Sequence, residues 1–327
     1  MKVLFTNVEA LASKYVFRLI SKEKSIKVIT HKGSMSQKEL IKIIPQIDVV
    51  VLDGRTKITR AVINAGNNLK IIARTGAGLD NIDINAASEK RVYVTYAPES
   101  NAKSVAEHVI GMLLALSKNL LRADRETRKG NYQFRNEFLG VEISGKTLGI
   151  LGLGAVGSRL ASMAYNGFNM KILAYDPYVN HQYAKKHNVQ LVNLSELLRK
   201  ADFVSVNCPL TKETRGLINE EKLRLMKKSA YIINTSRGGI IDENALYYAL
   251  SQRWIAGAGL DVFEGEPLLN PNNPLFKLEN VILSPHTAGL TRESIKRIGK
   301  EVANCVKKVL QNERPPIKNI VNKNLIS

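Results

Sequence analysis

The chain has 327 residues, with Lys+Arg 48 against Asp+Glu 29 and a formal charge of +19. Its 44% hydrophobic and 24% charged residues are an ordinary globular mix, and the length suits about two domains, so disordered and fibrous classes fall away. The strongest apolar run, residues 109–116, is far shorter than the roughly 20 residues a bilayer span needs, and the apolar start Val3-Leu4-Phe5 is too short for a secretory signal. Two distant cysteines, Cys208 and Cys305, form neither a disulfide framework nor a metal pair and suit a reducing, cytoplasmic compartment. The basic residues come as scattered pairs such as Lys185-Lys186 and Lys307-Lys308, and aromatics are 6%, which disfavours nucleic acid as a partner.

Short apolar runs alternate with amphipathic stretches. Residues 2–6, 26–29, 48–52, 70–74 and 92–95 read as strands, with helices such as 58–65 and 84–90 between them. Val105, Val109, Met112, Leu113 and Leu116 then mark one face of a long helix. Its start signal is Asn101 or Ser104, the latter with Glu107 as a capping-box partner. A second series at 147–151, 171–175, 202–207, 230–234, 256–261 and 280–284 gives six more strands. Such alternation predicts parallel sheets with crossover helices. Residues 292–310 read as a closing helix before Pro315-Pro316, and that helix is expected to return to the first domain.

The second series opens on a Gly-rich turn. Gly152, Gly154 and Gly157 form GxGxxG directly after a strand and before a helical run at 158–165. One glycine suits the tight turn, one lets pyrophosphate approach the backbone, and one permits close helix–strand packing. The helix start then offers free N–H groups and a positive dipole end to the phosphates. Asp176 closes the next strand, where a carboxylate binds ribose hydroxyls and repels a 2′-phosphate, and no Arg follows in Pro177-Tyr178. NAD rather than NADP is the cofactor this spacing predicts.

Of five histidines, His31, His181 and His187 lie in polar or Lys-rich stretches, and His108 has no second metal ligand near in sequence, so no metal site is expected. His286 differs, because it follows the apolar strand Val281-Ile282-Leu283 at a strand's C-terminal end, where doubly wound sheets hold ligands. Arg237 and the group Asp261, Glu264 and Glu266 follow two further strand ends. Hydride exchange with a hydroxy acid needs a cofactor, a cation for the carboxylate and a proton carrier. Arg supplies the planar fork, and His with a carboxylate partner supplies the proton group. Asn234-Thr235-Ser236 matches a glycosylation sequon by chance at a cytosolic strand end.

These segments together resemble the D-isomer-specific 2-hydroxyacid dehydrogenase family. The resemblance runs through Gly76-Ala77-Gly78-Leu79-Asp80-Asn81-Ile82-Asp83, the helix start at 101–108, the glycine loop with Asp176, the run 234–239, the run 260–267 and Ser284-Pro285-His286. It covers residues 45–310, and within the family the chain most closely resembles 3-phosphoglycerate dehydrogenases. The resemblance implies a Rossmann-type NAD domain at 101–289, inserted into a flavodoxin-like substrate-binding domain made of 1–100 plus 290–327. Both would be doubly wound parallel-sheet α/β domains, with a homodimer formed around the long helix.

The resemblance also implies roles. Arg237 would hold the substrate carboxylate, His286 would be the acid/base and Glu266 its partner. Gly152, Gly154, Ala155, Val156 and Gly157 would meet pyrophosphate, Asp176 the ribose, and Cys208-Pro209 the adenosine side, with Cys208 a packing contact. Asp261 would bind the nicotinamide amide, with Thr235, Ser236, Ala288 and Gly289 completing the cofactor set. Arg74, Gly76, Ala77 and Gly78 would face the substrate. Two departures stand out: Asp53 lies where those enzymes often have a phosphate-facing Arg, leaving Arg55, Arg74 or Arg135 as substitutes, and Tyr132 replaces a frequent Trp. The chain ends at Ser327, so serine-responsive control through a further C-terminal domain is not expected. Alternative functions are a glyoxylate/hydroxypyruvate-type reductase and an NAD-sensing interaction protein like corepressors of this fold.

Overall fold

The computed structural model describes residues 1–23, 26–267 and 270–323. They form two compact units, Met1–Asn101 with Leu290–Ser327, and Ala102–Gly289. Unit 1 begins with β1 (Lys2–Phe5), α1 (Leu11–Ile20), β2 (Lys27–Thr30), α2 (Gln37–Ile43), β3 (Val49–Leu52), α3 (Arg60–Ala65), β4 (Ile71–Arg74), α4 (Ile84–Glu89) and β5 (Tyr93–Thr95). All pairings are parallel, in the order β2-β1-β3-β4-β5, which is the flavodoxin-like winding. The run Val-Val-Val-Leu of β3 is buried throughout, as a central parallel strand covered on both faces must be.

Unit 2 begins with α5 (Ala102–Ser117), α6 (Leu120–Arg128), β6 (Thr147–Leu151), α7 (Ala155–Phe168), β7 (Lys171–Tyr175), α8 (His181–Lys186), β8 (Gln190–Leu191) and α9 (Leu194–Lys200). It continues with β9 (Phe203–Val206), α10 (Glu220–Arg224), β10 (Tyr231–Asn234), α11 (Glu243–Ser251), β11 (Gly257–Leu260) and β12 (Val281–Leu283). The strands run parallel in the order β12-β11-β10-β9-β6-β7-β8. The winding reverses between β6 and β9, the position where open α/β sheets take their ligands. A last helix, α12 (Arg292–Leu310), belongs to unit 1. Its apolar face, with Ile298, Val302, Cys305, Val306 and Val309, shares a buried cluster with Val3, Phe5, Ala12 and Val16.

Three details differ from the sequence reading. Among its described residues unit 2 has seven strands, because Gln190–Leu191 adds an edge strand too short to show an alternating pattern. The long helix starts at Ala102, so Ser104 lies inside it and is no cap. Glu107 instead faces Lys103, one turn earlier, at 3.9 Å. The helix after the glycine loop starts at Ala155, inside the motif and ahead of the expected residue 158.

Candidate active site

Because every pairing in unit 2 is parallel, all C-terminal strand ends share one edge. The ends of β6, β7, β9, β10, β11 and β12 each carry predicted residues there. At the end of β6, Gly152 has φ +93°, and a Cβ on it would stand 2.8 Å from the Cys208 amide nitrogen. A Cβ on Gly157 would stand 2.2 Å from the Gly152 carbonyl oxygen. The turn therefore needs both glycines for its own closure. Gly154 is different, since a Cβ there would meet nothing within 4 Å. It is the N-cap of α7 and supplies no side-chain cap, so the first-turn amides of Ala155, Val156 and Gly157 lack intrahelical acceptors. Open space over unpaired amides at a helix start is what a pyrophosphate requires.

Asp176 accepts the Leu153 N–H on Oδ2 at 2.8 Å and the Tyr178 N–H on Oδ1 at 2.9 Å. The carboxylate is thus anchored beside the loop, and each oxygen keeps a second acceptor position. Burial pushes the Cys208 thiol up to about 11, so at neutral pH it is an un-ionised packing group. The Ser236 hydroxyl donates to the Cys208 carbonyl at 2.5 Å, tying two strand-end loops together, and the Pro209 carbonyl accepts the Thr214 hydroxyl at 2.6 Å within one of them. Thr235 Oγ1 at the end of β10 is buried with no hydrogen-bond partner among the described residues. Open amides, an anchored carboxylate and an orphan hydroxyl on one edge fit an adenine dinucleotide.

The proton machinery sits on the neighbouring strands. A Cβ on Gly238 would fall 2.1 Å from the Phe263 carbonyl oxygen, so only glycine lets the β10 and β11 loops touch. That contact brings Arg237 close enough for its charge to act on Glu266. Glu266 Oε1 accepts the Phe263 N–H at 2.7 Å, and Oε2 lies 2.6 Å from His286 Nδ1. Burial raises the Glu266 pKa, but the His286 hydrogen bond and charge, the Phe263 amide and the Arg237 charge outweigh it and hold the carboxyl below its ordinary range. An ionised carboxylate only accepts, so Nδ1 carries the hydrogen in this bond and Nε2 is left for exchange. Arg237 is held in turn: its Nη1 donates to the Ser236 carbonyl at 2.8 Å, and Asn234 Nδ2 donates to the Arg237 carbonyl at 2.9 Å.

Asp261 is fully buried. Its Oδ1 accepts the Thr287 N–H at 2.8 Å and the Ser284 hydroxyl at 2.5 Å, and its Oδ2 accepts the Ala288 N–H at 2.9 Å. Its main position is therefore under the His286 turn, with one acceptor position on Oδ2 left over. Ala288 is buried beside it, and Gly289 closes the unit. Sequence reasoning set His108 aside, yet its Nε2 lies 3.1 Å from Ser284 Oγ. The usable signal was its place on α5, one turn from Ser104 and Met112, both buried.

In unit 1, Arg74 ends β4 and leads into Gly76, Ala77 and Gly78. Its guanidinium lies against Gly54 and Gly76, with Nη2 and Nη1 at 3.1 and 2.9 Å from where their Cβ atoms would be. Asp53 is buried and locally committed, accepting from the Thr6 hydroxyl at 2.9 Å and from the Arg55 and Thr56 amides at 3.2 and 3.3 Å. The Arg55 side chain is exposed beside it. Arg135 belongs to unit 2, where it donates to the Tyr132 hydroxyl at 2.9 Å. Among the described residues no group of three or more His, Cys, Asp or Glu could hold a metal ion. No described helix is long and apolar enough to cross a membrane.

Comparison with known proteins adds to this geometry. Residues 110–288 match the family model for the D-isomer specific 2-hydroxyacid dehydrogenase, NAD binding domain. The chain is 42% identical over 291 residues to D-3-phosphoglycerate dehydrogenase of Archaeoglobus fulgidus, covering 89% of this chain and 54% of that one. It is 40% identical over 294 residues to glyoxylate reductase of Korarchaeum cryptofilum, covering 89% and 87%. The chain thus spans about half the length of the phosphoglycerate dehydrogenases it matches. D-lactate dehydrogenase from Aquifex aeolicus, solved with NAD and lactic acid, aligns at TM-score 0.85 and 32% identity over 98% of each chain.

Proposed function

The chain belongs to the D-isomer-specific 2-hydroxyacid dehydrogenase family, and from that premise we propose that it interconverts a D-2-hydroxy acid and its 2-keto acid with NAD as cofactor. The observation that carries this reading is the 2.6 Å contact between His286 Nδ1 and Glu266 Oε2, beside Arg237. Gly154, Ala155, Val156 and Gly157 hold the pyrophosphate and Asp176 the ribose, while Thr235, Ser236, Cys208, Pro209, Ala288 and Gly289 line the rest of the cofactor edge. When bound, the nicotinamide accepts or donates the hydride. Arg237 grips the substrate carboxylate with its planar fork. Glu266 keeps the Nδ1 hydrogen, so His286 Nε2 gives a proton to the forming hydroxyl in reduction and removes one in oxidation. Within unit 1, Arg74, Gly76, Ala77 and Gly78 are the substrate-binding candidates.

One observation bears on the substrate's size. Asp53, at the position where the family resemblance implies a phosphate-facing Arg, spends its carboxylate on Thr6, Arg55 and Thr56. This favours a small unphosphorylated acid, as in a glyoxylate/hydroxypyruvate-type reductase, over 3-phosphoglycerate. Glyoxylate, hydroxypyruvate and phosphohydroxypyruvate, each offered with NADH and NADPH while following nicotinamide absorbance, decide the matter. NADH should be preferred because Asp176 repels a 2′-phosphate. No turnover with any 2-keto acid would remove the assignment.

The protein acts as a homodimer built on α5 and α6 in a reducing, cytoplasmic setting. None of the nine residues of α6 is buried, and Leu120 and Leu121 are 50% and 53% exposed. Light scattering should give twice the 36.3 kDa chain mass, and Leu121→Glu should halve it.

A further inference from the structure

His286 has φ +55°, a left-handed conformation that costs a side-chain-bearing residue about 1 kcal/mol or more unless its surroundings impose it. Here they do. The His286 N–H donates to the Asp261 carbonyl at 2.8 Å, and the next two amides donate to the Asp261 carboxylate. The third bond to that carboxylate comes from Ser284, the residue two before His286.

A serine hydroxyl has one hydrogen. Ser284 gives it to Asp261 at 2.5 Å, so its 3.1 Å contact with His108 Nε2 uses a lone pair, and Nε2 must carry the hydrogen. A continuous chain of donors follows: His108 to Ser284, Ser284 to Asp261. The shared acceptor Asp261 then holds Thr287 and Ala288. His108 is the outermost member, with 28% of its side chain exposed, while Asp261 is 1% exposed.

We infer that His108, acting through Ser284, is a positioning residue for His286. Its Nε2–H keeps the Ser284 hydroxyl turned toward Asp261, and Asp261 fixes the turn that presents the imidazole. This role rests on the proposed dehydrogenase reading, in which His286 carries the proton. Without the His108 donor, the serine rotor can turn away and one of the three bonds that centre Asp261 under the turn is weakened.

The test compares His108→Leu, which removes the donor, with His108→Gln, whose side-chain amide can still donate. The first measurement needs no substrate: hydrogen exchange of the Thr287 and Ala288 amides in the full chain. His108→Leu should speed exchange there on the order of 10-fold, the loss of about one hydrogen bond, and leave β6 amides unchanged. His108→Gln should restore most of the protection. The second measurement is kinetic: kcat for keto-acid reduction should fall on the order of 10-fold in His108→Leu with KM for NADH unchanged. Ser284→Ala should reproduce both effects and serves if His108→Leu does not fold. Wild-type exchange in both His108→Leu and Ser284→Ala overturns the inference, as does faster exchange with wild-type kcat. If the wild-type protein reduces no keto acid, the dehydrogenase reading falls, while the exchange data still decide whether His108 holds this turn.

Discussion

The glycine loop after β6 and the His286 turn after β12 stand on the same sheet edge but are made in opposite ways. The loop is defined by side chains that are missing: Gly152 and Gly157 give backbone room to meet backbone, and Gly154 leaves space open. The turn is defined by side chains that are present, since the distant Asp261, bonded by Ser284 two residues before the histidine, holds a left-handed His286 turn. The first device is backbone against backbone and tolerates no added atom at Gly152 or Gly157. The second is tertiary and depends on each bond. A binding surface for a large cofactor can be backbone, whereas a proton carrier must be aimed by its neighbours.

The comparison breaks most sharply at His286. His286→Ala should lower kcat on the order of 1,000-fold, within the usual range for a general acid–base group. NADH affinity by fluorescence titration should stay near the wild-type value. A variant with substantial turnover would mean that proton transfer does not run through this turn.

Within the loop, two alanine substitutions should separate folding from binding. Gly157→Ala forces a Cβ against a carbonyl oxygen, an overpacking that should cost about 3 kcal/mol and lower Tm along with NADH affinity. Gly154→Ala meets nothing and should keep the wild-type Tm, yet weaken NADH by on the order of 10-fold as the methyl occupies the phosphate approach. Equal NADH affinity in Gly154→Ala and wild type would show that the open space has no ligand role.

The smallest effect concerns pH. Glu266 has a lowered pKa in the fold, so it contributes stability above its unfolded value of about 4.3, and that contribution disappears as pH falls through the folded value. Glu266→Gln lacks this term. Its Tm deficit relative to wild type should therefore shrink as pH falls below about 4.3. A deficit independent of pH down to acid unfolding would detach Glu266 from His286.

What could be read from sequence follows the same division. The glycine spacing and the carboxylate at Asp176 are close together in the chain, and so were legible. Eleven of the twelve strands were legible too, since buried parallel strands are apolar runs such as Val49–Leu52 and Phe203–Val206. The edge strand Gln190–Leu191 was not, because two residues make no pattern. The His286 support was hidden for a different reason: His108 and Ser284 are 176 positions apart, and neither residue type signals the other. Asp53 is legible as a departure from the family pattern, but its bonds to Thr6, Arg55 and Thr56 depend on the fold.

The return of α12 to unit 1 sets an order of events during synthesis. Val3, Phe5 and Val16 share their cluster with Val302 and Val306, so β1 and α1 wait for a helix that is synthesised after all of unit 2. Between Asn101 and Leu290 the whole second unit is made, which at usual elongation rates takes roughly 10–40 s. Unit 2 has all its strands in one continuous stretch and can fold as it emerges. Until α12 arrives, the α1 side of the nascent unit 1 exposes an apolar face, the surface on which a chaperone would act.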